Sequence, residues 1–229
     1  MTGIATLLRF FMLAVIKIVS RCLYSFDYEW VGRRHAHPFR DAKIGLLLNH
    51  TSLFEPVLMG LLPLSWLWQV SKHGLLPGAD ITMNRPIAGK IFAFMVAHPV
   101  TITRARDASW RNFLARVSEE VVVVMSPEGR MKRKTGLDKF GKSMTCRGGV
   151  ADVLDRKHRG TMLIMYSEGL HHVQAPGEGF PRLFQRVRAR FEEVSIEHYK
   201  NSLRHGEPGF RERVMADLDR RRDAHCPWD

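Results

Sequence analysis

The sequence predicts a single α/β domain in which a mixed, mostly parallel sheet is flanked by helices and is preceded by an N-terminal amphipathic helix. Two observations carry this prediction. Short apolar or β-branched segments, such as residues 44–48 and 121–125, alternate with segments whose apolar residues recur at helical spacing. In addition, 229 residues with 45% hydrophobic and 25% charged side chains suffice for one globular domain with a sizeable core.

The first element is a helix with two unlike sides. Residues 4–26 are apolar except for Arg9, Lys17, Arg21 and a few small polar residues, and the longest uncharged apolar run, residues 10–16, is shorter than the about 20 residues that cross a bilayer. At roughly 100° per residue the cations gather on one side. This pattern predicts a basic amphipathic helix lying in a membrane interface. A surface helix packed on the core of the domain is the open alternative, and the lack of an Ala-x-Ala-like site disfavours a signal peptide.

The next elements follow from local composition. Residues 44–48 are continuously apolar, which predicts a strand buried on both faces, and Pro56 marks the start of a short helix over residues 56–62. The following segments are predicted as a strand (66–71), a loop with turn residues (72–85), a helix (87–97) and a β-branched strand (100–103). We place a membrane-anchoring segment at residues 1–40 and the α/β domain at residues 41–229.

The second half continues the alternation. The predicted elements are a helix (109–119), the clearest strand of the chain (121–125), a helix (149–157), a strand (161–166) and an amphipathic helix (183–198) with Phe184, Val187, Phe191 and Val194 facing inward. The charged stretch from residue 209 predicts a solvated helix end. Residues 166–181, which include His171 and His172, have no assigned role.

The charge balance narrows the partners. Thirty-five Lys+Arg against 23 Asp+Glu give a net charge of +12 and a pI near 10.1, which attracts nucleic acid, anionic lipid or phosphorylated small molecules. A nucleic-acid-binding domain would rest on charge alone, since the basic run at residues 130–134 lacks interleaved aromatic rings. We expect an anionic membrane surface as a partner and no nucleic acid.

The cysteines and histidines predict neither a disulfide framework nor a metal site. Cys22, Cys146 and Cys226 are far apart and odd in number, which fits a reducing compartment. The local histidine pairs lack a closing partner at metal-ligand spacing. We therefore expect no metal and no cofactor.

His50 and Glu55 form the leading candidate site. The apolar run of residues 44–48 ends at Asn49 and His50, and a carboxylate followed by Pro56 comes five residues later. Imidazole transfers protons near neutral pH, and a carboxylate within reach holds its tautomer. The alternative is a capping box, Ser52-x-x-Glu55, at a helix start. Pro56 counts against that box, because proline favours the first helical position and pushes the residue before it out of the helical region.

Two further motifs follow predicted strands. Ser126-Pro127-Glu128-Gly129 comes directly after residues 121–125, and Arg104 follows residues 100–103. The carboxyl ends of strands are where open α/β sheets bind ligands. Arg104 suits a phosphate or carboxylate, Glu128 suits a hydroxyl donor, and Gly129 permits close backbone approach. Each motif alone also fits a plain surface residue or turn.

Together these motifs, in this order, resemble the glycerolipid acyltransferase family, whose best-known members acylate lysophosphatidic acid. Asn49-His50-Thr51-Ser52-Leu53-Phe54-Glu55-Pro56 is similar to the Asn-His-x-Ser-x-x-Asp-Pro block of that family. Arg104 matches its strand-end arginine, and Ser126-Pro127-Glu128-Gly129-Arg130 matches Phe-Pro-Glu-Gly-Thr. The resemblance covers roughly residues 44–166. Glu55 replaces aspartate but can still accept a hydrogen bond from imidazole. Arg130 replaces threonine, and residues 166–181 match no part of the family pattern, so the acceptor can differ from lysophosphatidic acid.

The resemblance implies an O-acyltransferase of lipid metabolism that moves a fatty acyl group from acyl-CoA or acyl-carrier protein to a lysophospholipid hydroxyl. It implies His50 as general base oriented by Glu55, with backbone N–H groups of Thr51 or Ser52 at the oxyanion. The implied substrate-binding residues are Asn49, Ser52, Arg104, Pro127, Glu128, Gly129 and Arg130. We expect monotopic or peripheral membrane association, on the cytoplasmic face. A catalytically inactive membrane-binding protein with the same fold is the alternative.

Overall fold

The computed structural model describes residues 3–34, 36–103 and 105–226 and is built around a seven-stranded sheet. The strands are β1 (Ser25–Trp30), β2 (Ala42–Leu48), β3 (Gly74–Ala79), β4 (His98–Ile102), β5 (Val122–Met125), β6 (Thr161–Ser167) and β7 (Arg186–Ser195). Their order is β1-β7-β6-β2-β5-β3-β4. The last five strands of that order run parallel, whereas β7 is antiparallel to β6 and β1 is parallel to β7. The predicted mixed, mostly parallel sheet is confirmed.

Helices flank the sheet and enclose two cores. They are α1 (Gly3–Leu23), a 3₁₀ helix (Glu55–Leu61), α2 (Leu64–His73), α3 (Asp80–Met83), α4 (Ala88–Met95), α5 (Ala108–Ala115), α6 (Gly149–Leu154), α7 (Ile196–Ser202) and α8 (Phe210–His225). One core contains buried residues of α5, α6, α7 and α8, and the other contains buried residues of α1, the 3₁₀ helix, α2 and α4. The predicted α/β domain flanked by helices is therefore confirmed.

The predicted strand over residues 66–71 is wrong, because this segment belongs to helix α2. Its buried residues include Trp66, Leu67 and Val70, while Trp68 is 38% exposed. That spacing follows the helical period and not strict alternation. The predicted loop over residues 72–85 instead contains strand β3, whose Leu75 is fully buried.

The predicted helix over residues 183–198 is also wrong, because most of it is strand β7. Val187, Ala189 and Phe191 are buried in alternation, and residues of β7 pair with β6 along its length. Phe184, predicted to face inward, is 76% exposed. Spacings of three and four among the larger apolar residues imitated a helix because the small inward residue Ala189 was not counted.

The remaining strand predictions are confirmed within a few residues, but β1 was not predicted. Its sequence, Ser25-Phe26-Asp27-Tyr28-Glu29-Trp30, carries two acids, and it lies at the edge of the sheet, where such residues remain solvated. Because β1 pairs with β7, the boundary expected at residue 40 lies between two strands of one sheet.

Helix α1 confirms the predicted N-terminal helix but packs with its polar side inward. Lys17 Nζ donates hydrogen bonds to the carbonyls of Gly60 (3.0 Å) and Leu62 (2.7 Å), and an Arg21 nitrogen donates to the Gly60 carbonyl at 3.0 Å. The exposed large residues on its other side are Ile4, Leu7, Leu8, Phe11, Val15, Ile18 and Val19. Most of the predicted apolar side is therefore exposed, but α1 also packs on the core through the fully buried Leu13 and the partly buried Phe10, Met12 and Leu23, so the alternative of a helix packed on the core holds in part.

The outer face of α1 adjoins further exposed apolar residues. The Phe10 and Trp68 rings meet edge to face at 5.2 Å, and the Arg9 guanidinium lies 5.8 Å from the centre of the Phe94 ring, which links α1 to α2 and α4. We call the outward residues of α1 together with Leu64, Trp68, Ile87, Ile91 and Phe94 the apolar face. Within residues 3–34, 36–103 and 105–226, α1 is the helix that is long and apolar enough to cross a membrane.

Candidate functional site

The candidate residues gather at the carboxyl edge of the parallel strands. His50 comes two residues after the end of β2, and Ser126 comes directly after β5, which pairs with β2. Thr103 follows β4, while Glu168 follows β6 on the other side of β2. Because all these strands run in one direction, their following loops meet at one edge, where α/β sheets bind ligands.

His50 and Glu55 are in direct contact. The His50 Nδ1 and Glu55 Oε2 atoms are 2.5 Å apart, and the side chains are 21% and 10% exposed. Burial lowers the pKa of His50, but the nearby carboxylates, first Glu55 and then Glu128, outweigh it and leave the pKa above its ordinary value of 6.5. Since Nδ1 faces Glu55, the Nε2 atom is the one available for proton transfer.

Glu55 also holds the backbone between itself and His50. Its Oε1 atom accepts hydrogen bonds from the N–H groups of Thr51 (2.8 Å) and Ser52 (3.4 Å). One half of the capping box is thus present, because the carboxylate reaches back to Ser52. The other half is absent, since the Ser52 hydroxyl accepts from Phe54 N–H at 3.0 Å and the helix begins at Glu55.

These contacts contradict the expected oxyanion donors. The N–H groups of Thr51 and Ser52 are both directed at the Glu55 carboxylate. A donor that already serves a carboxylate does not face a developing charge elsewhere. The Ser52 hydroxyl, in turn, lies 3.4 Å from the Gln174 side-chain oxygen.

Glu128 lies behind His50 and does not face a substrate. It is 2% exposed, and its two oxygens accept hydrogen bonds from Asn49 N–H (3.0 Å) and His50 N–H (2.8 Å). Burial raises the pKa of Glu128, while these N–H groups and the Arg222 charge oppose the rise. The expectation that Glu128 accepts a substrate hydroxyl does not fit this geometry.

Asn49 has a structural position as well. Its backbone is in the left-handed region (φ 63°), which asparagine tolerates better than most residues. Its side-chain nitrogen donates to the Ser167 carbonyl at 2.9 Å, and the residue is 5% exposed. Asn49 therefore connects the ends of β2 and β6. Its side chain makes this structural contact, whereas the sequence predicted a contact with substrate.

A cavity of about 610 Å³ extends across this edge of the sheet. His50, Glu55, Pro127 and Gly129 line it. That these residues meet a substrate stays a prediction. On the side of the 3₁₀ helix, α2 and α4 its lining is apolar and includes Leu58, Met59, Leu62, Trp66, Leu67, Val70, Phe92 and Met95. On the opposite face of the sheet it is bounded by four charged residues: Arg106 before α5, Arg147 before α6, Asp152 on α6 and Arg211 on α8.

The charged end of the cavity is organised around Asp152. Arg106 donates two hydrogen bonds to this carboxylate, at 2.6 and 2.7 Å, while Arg211 donates one at 2.6 Å and Trp110 Nε1 one at 2.9 Å. Sequence analysis missed these residues. Arg106 is two positions from Arg104, which was a usable signal, whereas Arg211 lies in a stretch that reads as solvated.

Arg104 lies outside the described residues, and Arg130 lies away from the main cavity. The Arg130 guanidinium pairs with Asp138 and stands 5.1 Å from the centre of the Phe140 ring. It lines a second, polar cavity of about 200 Å³ together with Glu128, Lys142 and Arg147. Arg130 therefore does not line the main cavity, where a residue predicted to bind substrate is expected.

Residues 166–181, unassigned by sequence, form a wall over the His50 loop. Leu170 N–H donates to the Thr51 hydroxyl at 2.7 Å, and Lys132 N–H donates to the His50 carbonyl at 2.8 Å. His171 Nε2 donates in turn to the Lys132 carbonyl at 2.8 Å, and burial, with Lys132 and Lys134 nearby, lowers the pKa of His171. His171 is thus a neutral connector of two loops.

Cys22, Cys146 and Cys226 are free. Among the residues that the structure describes, no group of three or more His, Cys, Asp or Glu side chains is arranged to hold a metal ion.

Comparison with known proteins rests on structure. The sequence matches no protein-family profile and no curated protein. The structure is similar to the crystal structure of the 1-acyl-sn-glycerophosphate (LPA) acyltransferase PlsC from Thermotoga maritima, with a TM-score of 0.55 and 14% sequence identity, over 96% of this chain and 83% of that one. The chain therefore has a PlsC-like α/β fold.

Proposed function

We propose that this protein is an acyltransferase that moves a fatty acyl group from a thioester donor to a hydroxyl of a lysophospholipid or related lipid. The observation that carries the proposal is the His50–Glu55 pair on a cavity with one apolar and one arginine-rich end. The PlsC-like fold supports it. An apolar end suits a fatty chain, and an arginine-rich end suits a phosphate.

In the proposed reaction His50 Nε2 takes the proton from the acceptor hydroxyl as its oxygen attacks the thioester carbonyl carbon. Glu55 keeps the other ring proton on Nδ1 and stabilises the imidazolium. The tetrahedral intermediate then breaks its carbon–sulfur bond, and His50 returns the proton to the leaving thiolate. The products are the acylated lipid and a free thiol.

Arginines at the charged end would bind the acceptor. Arg106 and Arg211 share one carboxylate, Asp152, so the three groups together keep a net charge of +1. A phosphate entering there would complete the charge balance. Arg104, next to Thr103 in the sequence, keeps its role as a phosphate ligand in this proposal.

The apolar face would place the cavity at a bilayer. Its residues on α1, α2 and α4 are exposed, and the apolar end of the cavity lies among the same helices. A helix with an exposed apolar side, such as α1, suits a membrane interface, where both lipid substrates are found. The exposed Lys134, Lys139 and Lys142 would then meet anionic lipid or donor phosphates. The same proposal places the protein at the cytoplasmic face of the membrane and takes acyl-CoA or acyl-carrier protein as the acyl donor.

The test uses the full-length protein with vesicles containing single lysolipids, lysophosphatidic acid first, and palmitoyl-CoA or palmitoyl-acyl-carrier protein as donor. Thiol release and the acylated product are measured for the wild type, His50→Ala and, as a matched control, His198→Ala, whose side chain is exposed on α7. We expect His50→Ala to lose about 100- to 10,000-fold in rate, as for other general bases, and His198→Ala to match the wild type.

Two outcomes would overturn the proposal. Turnover that persists in His50→Ala removes His50 as the base. Wild-type protein that binds vesicles but releases no thiol with either donor and any lysolipid is an inactive membrane-binding protein with this fold.

A further inference from the structure

The Glu128 carboxylate is a buried group that is hydrogen-bonded to the backbone of the candidate base and of the residue before it. Its two oxygens each accept one N–H group, from Asn49 and from His50, and the side chain is fully buried. A carboxylate binds two N–H donors well only when it is ionised. Burial works against ionisation, so a nearby positive charge is needed to preserve this grip.

That charge comes from the C-terminal helix. An Arg222 guanidinium nitrogen on α8 lies 3.7 Å from Glu128 Oε1, which is an ion-pair distance too long for a hydrogen bond. The same nitrogen donates to the Met144 carbonyl (3.0 Å) and to Asp219 (2.8 Å), and the side chain is 12% exposed. The guanidinium is therefore fixed in place and largely screened from water.

We propose that Arg222 is a positioning residue for the reaction, because its charge keeps Glu128 ionised and so holds the His50 backbone where the imidazole meets Glu55 and the cavity. This inference rests on the proposed acyl transfer. It adds a residue of α8 to the groups that support the reaction. The path runs from α8 through Arg222 and Glu128 to the N–H groups of Asn49 and His50.

The surroundings of Glu128 set the direction of its pH dependence. The charged or titratable groups near it are His50 after β2, Cys146 before α6, Asp219, Arg222 and Asp223 on α8, and Cys226 after α8. Arg130, Lys142 and Arg147 line the same small cavity. Glu128 grips the backbone only when ionised, so the rate falls as pH falls through its pKa. Protonation of His50 also lowers the rate at acidic pH. Removing the Arg222 charge raises the pKa of Glu128 further, so the additional loss of rate that comes from Glu128 begins at higher pH.

The experiment compares Arg222→Met with Arg222→Lys and with Arg220→Met, a matched change at a 71% exposed arginine of the same helix. Wild type and variants are assayed in vesicles with the donor and lysolipid that give the fastest wild-type turnover. We expect Arg222→Met to lose about 10- to 100-fold in kcat, since a displacement of about 1 Å costs on that order. Its KM values should stay within about twofold, because Arg222 does not line the main cavity. Arg222→Lys should recover most of the rate, and Arg220→Met should match the wild type.

A double-variant cycle with Glu128→Gln gives a second measurement. If Arg222 acts through Glu128, the double variant is no slower than the slower single variant, whereas independent roles give losses that multiply. A folded Arg222→Met with wild-type kcat and pH profile overturns the inference, and so do multiplying losses. If Arg222→Met does not fold, Arg222→Gln replaces it, and failure of both to fold assigns Arg222 to stability alone. If the wild-type protein shows no turnover, the result contradicts the proposed function and not the role of Arg222 alone.

Discussion

Glu55 shows how one side chain can serve both local structure and chemistry. One oxygen binds two backbone N–H groups and the other binds the His50 ring. The longer glutamate side chain lets the carboxylate span from the start of the 3₁₀ helix back to the loop. The two interpretations of Glu55, helix cap and partner of His50, therefore each apply to one oxygen of the same carboxylate. A substitution at Glu55 changes both interactions.

We predict that Glu55→Gln slows the reaction and moves its acidic limb to lower pH. The nearby carboxylates hold the pKa of His50 above 6.5, and the base works only when neutral, so the wild-type rate rises with pH through a pKa above 6.5. Loss of the Glu55 charge lowers that pKa. A kcat profile from pH 5 to 9 checks the prediction, in the opposite direction to the shift expected for Arg222→Met.

Glu55→Asp is the matched control for that measurement. It keeps the charge, so the acidic limb should stay near its wild-type position while kcat falls because the carboxylate is one methylene shorter. An acidic limb that is unchanged in Glu55→Gln would mean that Glu55 does not act on the His50 ring.

At the scale of elements, the cations of α1 help to attach this helix to the domain, in addition to its buried Leu13. Lys17 supplies two hydrogen bonds to the carbonyls of Gly60 and Leu62, at the end of the 3₁₀ helix that begins at Glu55. Burial and the neighbouring Arg21 lower the pKa of Lys17, whose side chain is partly buried. The same short helix thus contacts the candidate base at one end and α1 at the other.

We predict that Lys17→Met destabilises the protein by about 1.5–3 kcal/mol, the usual range for hydrogen bonds to a charged group. The Leu62 carbonyl loses its Lys17 donor. For a chain of this length the melting temperature should fall by about 2–4 °C per kcal/mol. Thermal unfolding in detergent measures the shift, with Lys90→Met on exposed α4 surface as the control. Equal melting temperatures in the two variants would contradict a structural role for Lys17.

Sequence reasoning found the elements whose local pattern and environment agree. Residues 44–48 and 162–166 are continuously apolar because both faces of a central strand are covered. It failed at α2, a short helix that contains two tryptophans and a valine, and at β7, where one small inward residue hid the alternation. It also missed β1, because an edge strand needs little apolar patterning.

At the scale of the molecule, the motif resemblance located the site but not the roles within it. Proximity of His50, Glu55, Pro127 and Gly129 follows from parallel strands, which a sequence can indicate. Whether Glu128 faces a substrate or the backbone depends on how β2 and β5 are aligned and on α8. Arg222 and Asp152 approach the site from distant sequence, so no local pattern indicates them.

We predict that the apolar face, and not the net charge of +12, dominates vesicle binding. The double variant Phe11→Asp/Ile18→Asp should weaken binding about 100-fold or more at any salt concentration, since each buried side chain contributes about 1.5–3 kcal/mol. Because Phe11 is 68% and Ile18 60% exposed, folding should be unaffected. Sedimentation with neutral and anionic vesicles measures this.

Lys139→Gln/Lys142→Gln serves as the comparison for the charge contribution. It should weaken binding to anionic vesicles at low salt only, because exposed charges are screened at high salt. Strong salt dependence in the wild type, with little effect of Phe11→Asp/Ile18→Asp, would contradict the prediction.

The inward cations of α1 reverse the usual pattern of substitution tolerance along a surface helix. In a helix that packs its apolar side on a core, apolar positions are constrained in shape and charged positions vary freely. Here Lys17 and Arg21 must reach particular carbonyls, whereas Leu7, Phe11 and Ile18 need only remain apolar. A library of variants across α1 should therefore retain lysine and arginine at fixed positions and exchange leucine, isoleucine, valine and phenylalanine freely on the outer side.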